Sequence, residues 1–314
     1  MRVALALAGF LLVTIAADSA RTQQSSQQRE DGNVAGLYSQ AEALTEKDIP
    51  VLTKRAEAGD IWSQKVLAIA FLRGYGVKVD IAQAGKWLTK AADQGDIESQ
   101  MTLASAYYTG DPLPQDYAMA AIWFRRAAEQ GIASAQVDLG SMYKRGQGLP
   151  QNYGEAANWY RKAASQGNAH AEYLLAGLYH DGEGVPKDDK QALEWFQRAA
   201  EQGNYGAECT LSVWYQEGHV IPQDNTESAK WALKAADHGS SECQRGMVRM
   251  YLEGVGVPKD YVAAYMWAVI ASRGDLEDEI YSRLFKAGLT PAQTREAERR
   301  AQQWWKEHPQ QKVK

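Results

Sequence analysis

The chain has 314 residues, with 34 Lys and Arg against 39 Asp and Glu and a net charge of -5. That balance leaves no basic excess to hold a phosphate backbone, which argues against a nucleic-acid partner. Such a length suggests about two globular domains, unless stacked repeats replace a single core.

In chain order, residues 1–20 carry Arg2, an uncharged apolar stretch from Val3 to Ala17, and small residues at Ala16, Ala17, Ser19 and Ala20. This is the layout of a secretory signal cut after Ala17, Ser19 or Ala20. The run is shorter than the roughly 20 apolar residues that an uncleaved anchor needs. Removing the segment takes away one charge of each sign and leaves the net charge unchanged. Residues 21–33 are polar and Gln-rich and read as a flexible linker, because they cannot offset their own ordering entropy. Residues 34–59 look like an incomplete unit that caps the array: Val51, Ala56 and Gly59 fall where later units place tryptophan, alanine and a closing glycine.

From residue 60 to 275 the chain repeats. Trp87, Trp123, Trp159, Trp195, Trp231 and Trp267 are spaced by 36, and Gly110, Gly146, Gly182, Gly218 and Gly254 keep the same period. A fixed period of this size means six units, each a supersecondary element that buries its apolar face only against neighbours. Each unit reads as helix, loop, helix, tight turn. Leu103, Leu139, Leu175 and Leu211 are each followed four residues on by tyrosine, which puts both on one helical face. The glycines suit a left-handed residue past the helix end. Pro114, Pro150, Pro186, Pro222 and Pro258 then prevent helix, and Asp116, Asn152, Asp188, Asp224 and Asp260 cap the next one. Alanines flank each tryptophan, as expected where two helices close around a large knob.

The two cysteines, Cys209 and Cys243, lie 34 residues apart and two residues out of phase on successive first helices. A bridge would need favourable helix stagger. The register favours two small buried side chains instead, because Ser63, Ser99, Ala135, Ala171 and Ala207 occupy the class of Cys243.

Ala171, Leu174-Leu175, Gly177, Tyr179, Gly182, Gly184-Val185, Asp188, Ala192, Trp195, Ala199-Ala200 and Gly203 together resemble the Sel1-like repeat, a relative of the tetratricopeptide repeat. Residues 276–314 resemble the capping helices common in Sel1-like proteins of proteobacteria. There Thr290 caps, Pro291 opens the helix and Gln293 completes a capping box. The resemblance implies an all-α, right-handed superhelical solenoid of antiparallel helix pairs. It further implies an adaptor or regulatory role, which in exported bacterial members serves envelope signalling, exopolysaccharide assembly or host interaction.

In such a superhelix the first helices line the concave side. The positions there that the register does not dictate run through Met101, Ser105 and Tyr108; Val137, Ser141 and Lys144; Tyr173, Gly177 and His180; Cys209, Val213 and Gln216; and Arg245, Arg249 and Leu252. Beside them the sign changes from Arg73 and Arg145 to Asp181, Glu217 and Glu253, and acidic groups at helix C-termini run against the helix dipole. The candidate groove is therefore Tyr108, Lys144, Tyr173, His180, Asp181, Gln216, Glu217, Arg245 and Arg249, facing a protein partner in the periplasm or outside the cell. An envelope polysaccharide is the alternative partner, with Trp62, Tyr108 and Tyr173 as stacking platforms.

Catalysis is not expected. Ser141 and Lys144 match Ser-x-x-Lys, the signature of β-lactam-acylating serine enzymes, which makes a weak envelope hydrolase of β-lactamase type the second alternative, but no Ser-Asp-Asn or Lys-Thr-Gly element accompanies them. The Gly-x-Gly runs at 146–148, 182–184 and 254–256 follow helices and lack the rest of a nucleotide fingerprint. His170, His180, His219, His238 and His308 form no i, i+4 pair, so neither metal nor cofactor is expected.

Overall fold

The computed structural model describes residues 35–272 and 288–312. The predicted signal and linker, and residues 276–287 of the predicted C-terminal cap, lie outside them. The described residues are helical throughout, without strands. The chain divides into two compact units, Met1–Asn168 and Ala169–Lys314.

Unit 1 holds a helical stretch at 35–42, then α1 (Ile49–Glu57), α2 (Ile61–Arg73), α3 (Ile81–Asp93), α4 (Ile97–Thr109), α5 (Tyr117–Glu129), α6 (Ala133–Arg145) and α7 (Tyr153–Ala164). Unit 2 holds α8 (Ala169–Asp181), α9 (Asp189–Glu201), α10 (Tyr205–Glu217), α11 (Asn225–Asp237), α12 (Ser241–Glu253), α13 (Tyr261–Ser272), α14 (Pro291–Glu307) and α15 (Pro309–Lys312). Within each unit every helix from α1 onward packs on the next.

The helix boundaries follow from the caps. Asp80, Asp116, Asn152, Asp188 and Asp224 accept backbone N–H groups of the second helix of each pair, and Asp260 does the same for α13. The N–H of each of these caps also donates to the carbonyl of an aromatic residue nine positions back. The donors and acceptors are Asp80 to Phe71, Asp116 to Tyr107, Asn152 to Tyr143, Asp188 to Tyr179, Asp224 to Tyr215 and Asp260 to Tyr251, at 2.9–3.0 Å. One bond thus closes each helix-loop-helix. Thr290 and Gln293 form the expected reciprocal capping box at the start of α14.

Where a loop carries two glycines, they do different jobs. The first ends the helix, as at Gly146, where φ is +67°. The second permits a close approach: a Cβ on Gly148 would lie 2.3 Å from the Tyr117 carbonyl at the start of α5, and one on Gly256 would lie 1.8 Å from the Asn225 carbonyl at the start of α11. The runs at 146–148 and 254–256 are therefore joints between successive pairs.

Trp87, Trp123, Trp159 and Trp267 are buried, whereas Trp195 and Trp231 are half-buried. The core beside those two already holds Phe196 and Trp214, edge to face at 5.4 Å. Each of the five rings from Trp87 to Trp231 is covered by a cation three residues on, Lys90, Arg126, Lys162, Arg198 or Lys234, at 3.7–4.4 Å from the ring centroid. That spacing places both side chains on one helical face. At the N-terminal end Val51 occupies the tryptophan register but is 59% exposed, and Leu52 enters the core in its place.

A buried amide ties three helices at a time. Gln64, Gln100 and Gln136 donate to the carbonyls of Ala56, Ala92 and Ala128 in the preceding helix. Each accepts from Gln94, Gln130 or Gln166 at the end of the following helix. Glutamine suits the place because it donates and accepts at once. In unit 2 the same register holds Glu172 and Glu208, both essentially fully buried. Glu172 accepts from Gln202 and lies 3.0 Å from Arg198 Nη2, and Glu208 pairs with His238 at 2.8 Å. Burial pushes the Glu172 carboxyl above the usual range, against the lowering by Arg198 and Gln202.

The cysteines correct the expectation of two unbridged side chains. Cys209 and Cys243 form a disulfide, with Cα atoms 6.2 Å apart. The register position of Cys209 faces the first turn of the next first helix, as Lys65 shows by reaching Asp96 and Glu98. Successive first helices are therefore offset along their axes, and the offset cancels the two-residue phase difference.

Two outcomes follow from these contacts. Gly148→Ala should cost about 2 kcal/mol more than Gly167→Ala, because Gly167 shares the left-handed backbone but has nothing within 4 Å of its Cβ position. Equal losses in chemical denaturation would dismiss the joint. Because the folded pKa of Glu172 is raised, its favourable contribution is complete below the unfolded value and is lost as pH rises through the folded one. Glu172→Gln should accordingly raise the melting temperature at pH 7 by about 2 °C or more, with the gain vanishing near about pH 4; a loss at pH 7 would contradict the assignment.

Candidate binding surface

The candidate residues sit on the first helices of the pairs, and each unit is described by itself. In unit 1, Tyr108 is half-buried in the last turn of α4. Its hydroxyl lies 3.1 Å from Gln147 Oε1 and 3.2 Å from Arg145 Nη1, and its ring meets Tyr117 and Phe124 edge-on. Lys144 is half-buried in the last turn of α6, where its carbonyl accepts from Gln151. Of their groove-lining neighbours, Met101 and Val137 are buried in the core and offer no surface.

Ser141 Oγ lies 3.1 Å from Tyr160 Oη. Burial raises the pKa of that phenol, so at neutral pH it is no base for the serine. Tyr160 also dictates its neighbour: a Cβ on Gly140 would lie 2.6 Å from its ring. Register-equivalent pairs are Ala104 with Phe124, Ala176 with Phe196, and Val248 with Ala268, so a larger side chain on one helix meets a smaller one on the other. The Ser-x-x-Lys match thus falls on packing residues.

In unit 2, Tyr173 lies on Phe196, with ring centroids 5.7 Å apart, and over Gly206 at the start of α10. Trp62 in unit 1 donates its indole N–H to Gln40. The three rings considered as sugar platforms are thus each engaged in packing or hydrogen bonds. Asp181 and Glu217 end α8 and α10 and are exposed. Gln216 is half-buried, its carbonyl accepting from Gln223. Arg245 and Arg249 are exposed one turn apart on α12, and Cys209 is taken up by the disulfide.

His180 is brought into company the sequence reading missed. Its Nδ1 lies 2.6 Å from Asp189 Oδ1, and its ring lies 5.2 Å from Trp214 and 6.1 Å from His219. No i, i+4 pattern reveals this, because the contact runs from the end of one first helix to the loop after the next, 39 residues on. The same interval joins Tyr108 to Gln147, and it is the signal a repeat-to-repeat search would need.

A face of variable side chains on paired helices defines a helical-repeat scaffold. The Sel1 repeat profile matches residues 63–96, 97–132, 133–168, 169–204, 207–240 and 241–276, and the chain belongs to the Sel1 repeat family. It is 27% identical to the Sel1 repeat protein from Oxalobacter formigenes, over 77% of this chain and 98% of that one, with a TM-score of 0.64. It is 31% identical to c5321, a protective antigen present in uropathogenic Escherichia coli strains, over 83% of this chain, with a TM-score of 0.48. The chain spans 64% of the length of that protein. No curated protein matches the sequence. Sel1 repeat proteins generally mediate protein–protein interaction and are typically non-enzymatic scaffolds. Among the described residues no helix is long and apolar enough to cross a membrane.

Proposed function

We propose that the protein is an exported scaffold or regulator that binds a basic segment of a protein partner through the acidic helix ends of unit 2. The observation that carries this reading is the placement of Asp181 and Glu217. Both are exposed at the C-terminal ends of first helices, where the helix dipole disfavours negative charge. Acidic groups kept there against local preference give the surface a sign, and a sign steers and selects a partner. Exposed Val213, 43% accessible on the same helix as Glu217, adds apolar area that a bound segment would cover. Export is supported by the N-terminal pattern of Arg2, an apolar run and small residues, and by the Cys209–Cys243 bridge, since disulfides persist in oxidising compartments.

Replacing Asp181 and Glu217 together by lysine should reduce recovery of the partner in affinity capture from an envelope extract by about tenfold, a loss of about 1.4 kcal/mol, while circular dichroism stays unchanged. Equal recovery by both proteins would refute the acidic surface. Mass spectrometry of the chain isolated from its native cells should find an N-terminus following Ala17, Ser19 or Ala20 and an intact disulfide. A chain that retains Met1 and carries two free thiols would rule out export.

A further inference from the structure

In unit 2 the last turn of α8, the first turn of α9 and the loop after α10 meet at one point. His180, Asp189 and His219 converge there, with one ligand-capable atom from each lying within 4.8 Å of the others. The backbone beneath them is fixed. The Asp188 N–H donates to the Tyr179 carbonyl at 2.9 Å, which holds the next residues, His180 and Asp189, side by side. Gly218, with φ +71°, turns the chain before His219. Trp214, 5% exposed, forms the wall, its ring 5.2 Å from His180 and 6.3 Å from His219.

The register supplies an internal comparison. The equivalent positions in unit 1 are Tyr108, Tyr117 and Gln147. They also converge, with Tyr108 Oη 3.1 Å from Gln147 and the two tyrosine rings 5.3 Å apart. The fold therefore gathers three side chains in both of these places, and at His180, Asp189 and His219 all three carry metal-ligating atoms.

We propose that His180, Asp189 and His219 bind a divalent transition-metal ion of the zinc, copper and nickel group. Two imidazoles and one carboxylate suit these borderline ions, whereas magnesium and calcium favour all-oxygen sites. Bonds of about 2.0–2.1 Å in tetrahedral geometry separate neighbouring ligand atoms by about 3.3 Å. The His180–Asp189 pair, now 2.6 Å apart, must open by about 0.7 Å, and the widest pair must close by at most about 1.5 Å. Side-chain rotation supplies both, because the side chains of His180 and Asp189 are 34% and 29% exposed and His219 is exposed. Lys187 Nζ, 3.9 Å from Asp189 Oδ2 and 57% exposed, is the cation that the metal displaces. Three protein ligands leave a fourth position for water.

Isothermal titration of the full chain with zinc chloride should show about one ion per chain, with a Kd of roughly 10 µM or tighter. His219→Gln, which installs the residue type found at the equivalent Gln147, should weaken binding at least about tenfold with an unchanged thermal melt. His180→Ala should do the same; should that variant fail to fold, the His219 variant decides alone. Cobalt(II) in place of zinc should give visible absorption bands that the His219→Gln variant lacks. Absence of zinc binding at about 100 µM, or equal affinity in the His219→Gln variant, would overturn the site.

Discussion

The backbone hydrogen bond from each second-helix cap to an aromatic carbonyl nine residues back is the constraint on which the rest depends. It recurs in all six pairs at 2.9–3.0 Å and fixes the end of one helix against the start of the next. A backbone group freed at a helix end needs a partner, and in five of the six loops a proline removes one more donor. Cap side chains and left-handed glycines serve the same closure. Once it is made, the second loop glycine can rest on the start of the preceding second helix, and the buried glutamine can span three helices. An isolated pair would leave its glutamine without the carbonyl that it donates to, so the pairs need one another electrostatically as well as through apolar packing.

Within that frame the interior tolerates exchange when volume or hydrogen bonding is conserved. Gly140 accommodates Tyr160, while elsewhere in the register alanine faces phenylalanine, and valine faces alanine. The glutamine position tolerates exchange less freely. An ionised glutamate there can accept from one side but cannot donate to the other, so Glu172 relies on Arg198 and Gln202, and Glu208 relies on His238. Arg198 also lies over Trp195, so one guanidinium covers a half-buried ring and faces a buried carboxylate.

Much of this was legible in the residues. Helix pairing, caps, left-handed glycines and the capping box of Thr290 and Gln293 are local features, and local features leave periodic marks. The joint made by Gly148 leaves a glycine in the sequence but not its reason, because the close approach involves the backbone of another helix. The Cys209–Cys243 bridge is not legible in the residues, because their spacing gives angular phase and says nothing of axial offset. Val51 keeps the tryptophan register without its burial, and Leu52 serves the core in its place. The cations over the rings lie at a legible i+3 spacing, yet only the rotamers show that Lys162 and Arg126 fold back onto the indoles.

The surface was least legible, and the same closure explains why. Because the cap N–H meets a main-chain carbonyl, the side chains one residue further on bear little of the load. Tyr108 and His180 occupy one such position, and Tyr117 and Asp189 the other. Those positions can change chemistry from aromatic and amide in unit 1 to imidazole and carboxylate in unit 2 while the backbone bonds stay at 2.9 Å. Periodicity therefore marks what folds the array, and departures from it mark where a ligand or a partner can be recognised. Asp181, Glu217 and His219 are departures of this kind, clustered at first-helix ends and the loops that follow, where the scaffold holds the main chain still and leaves the side chains free.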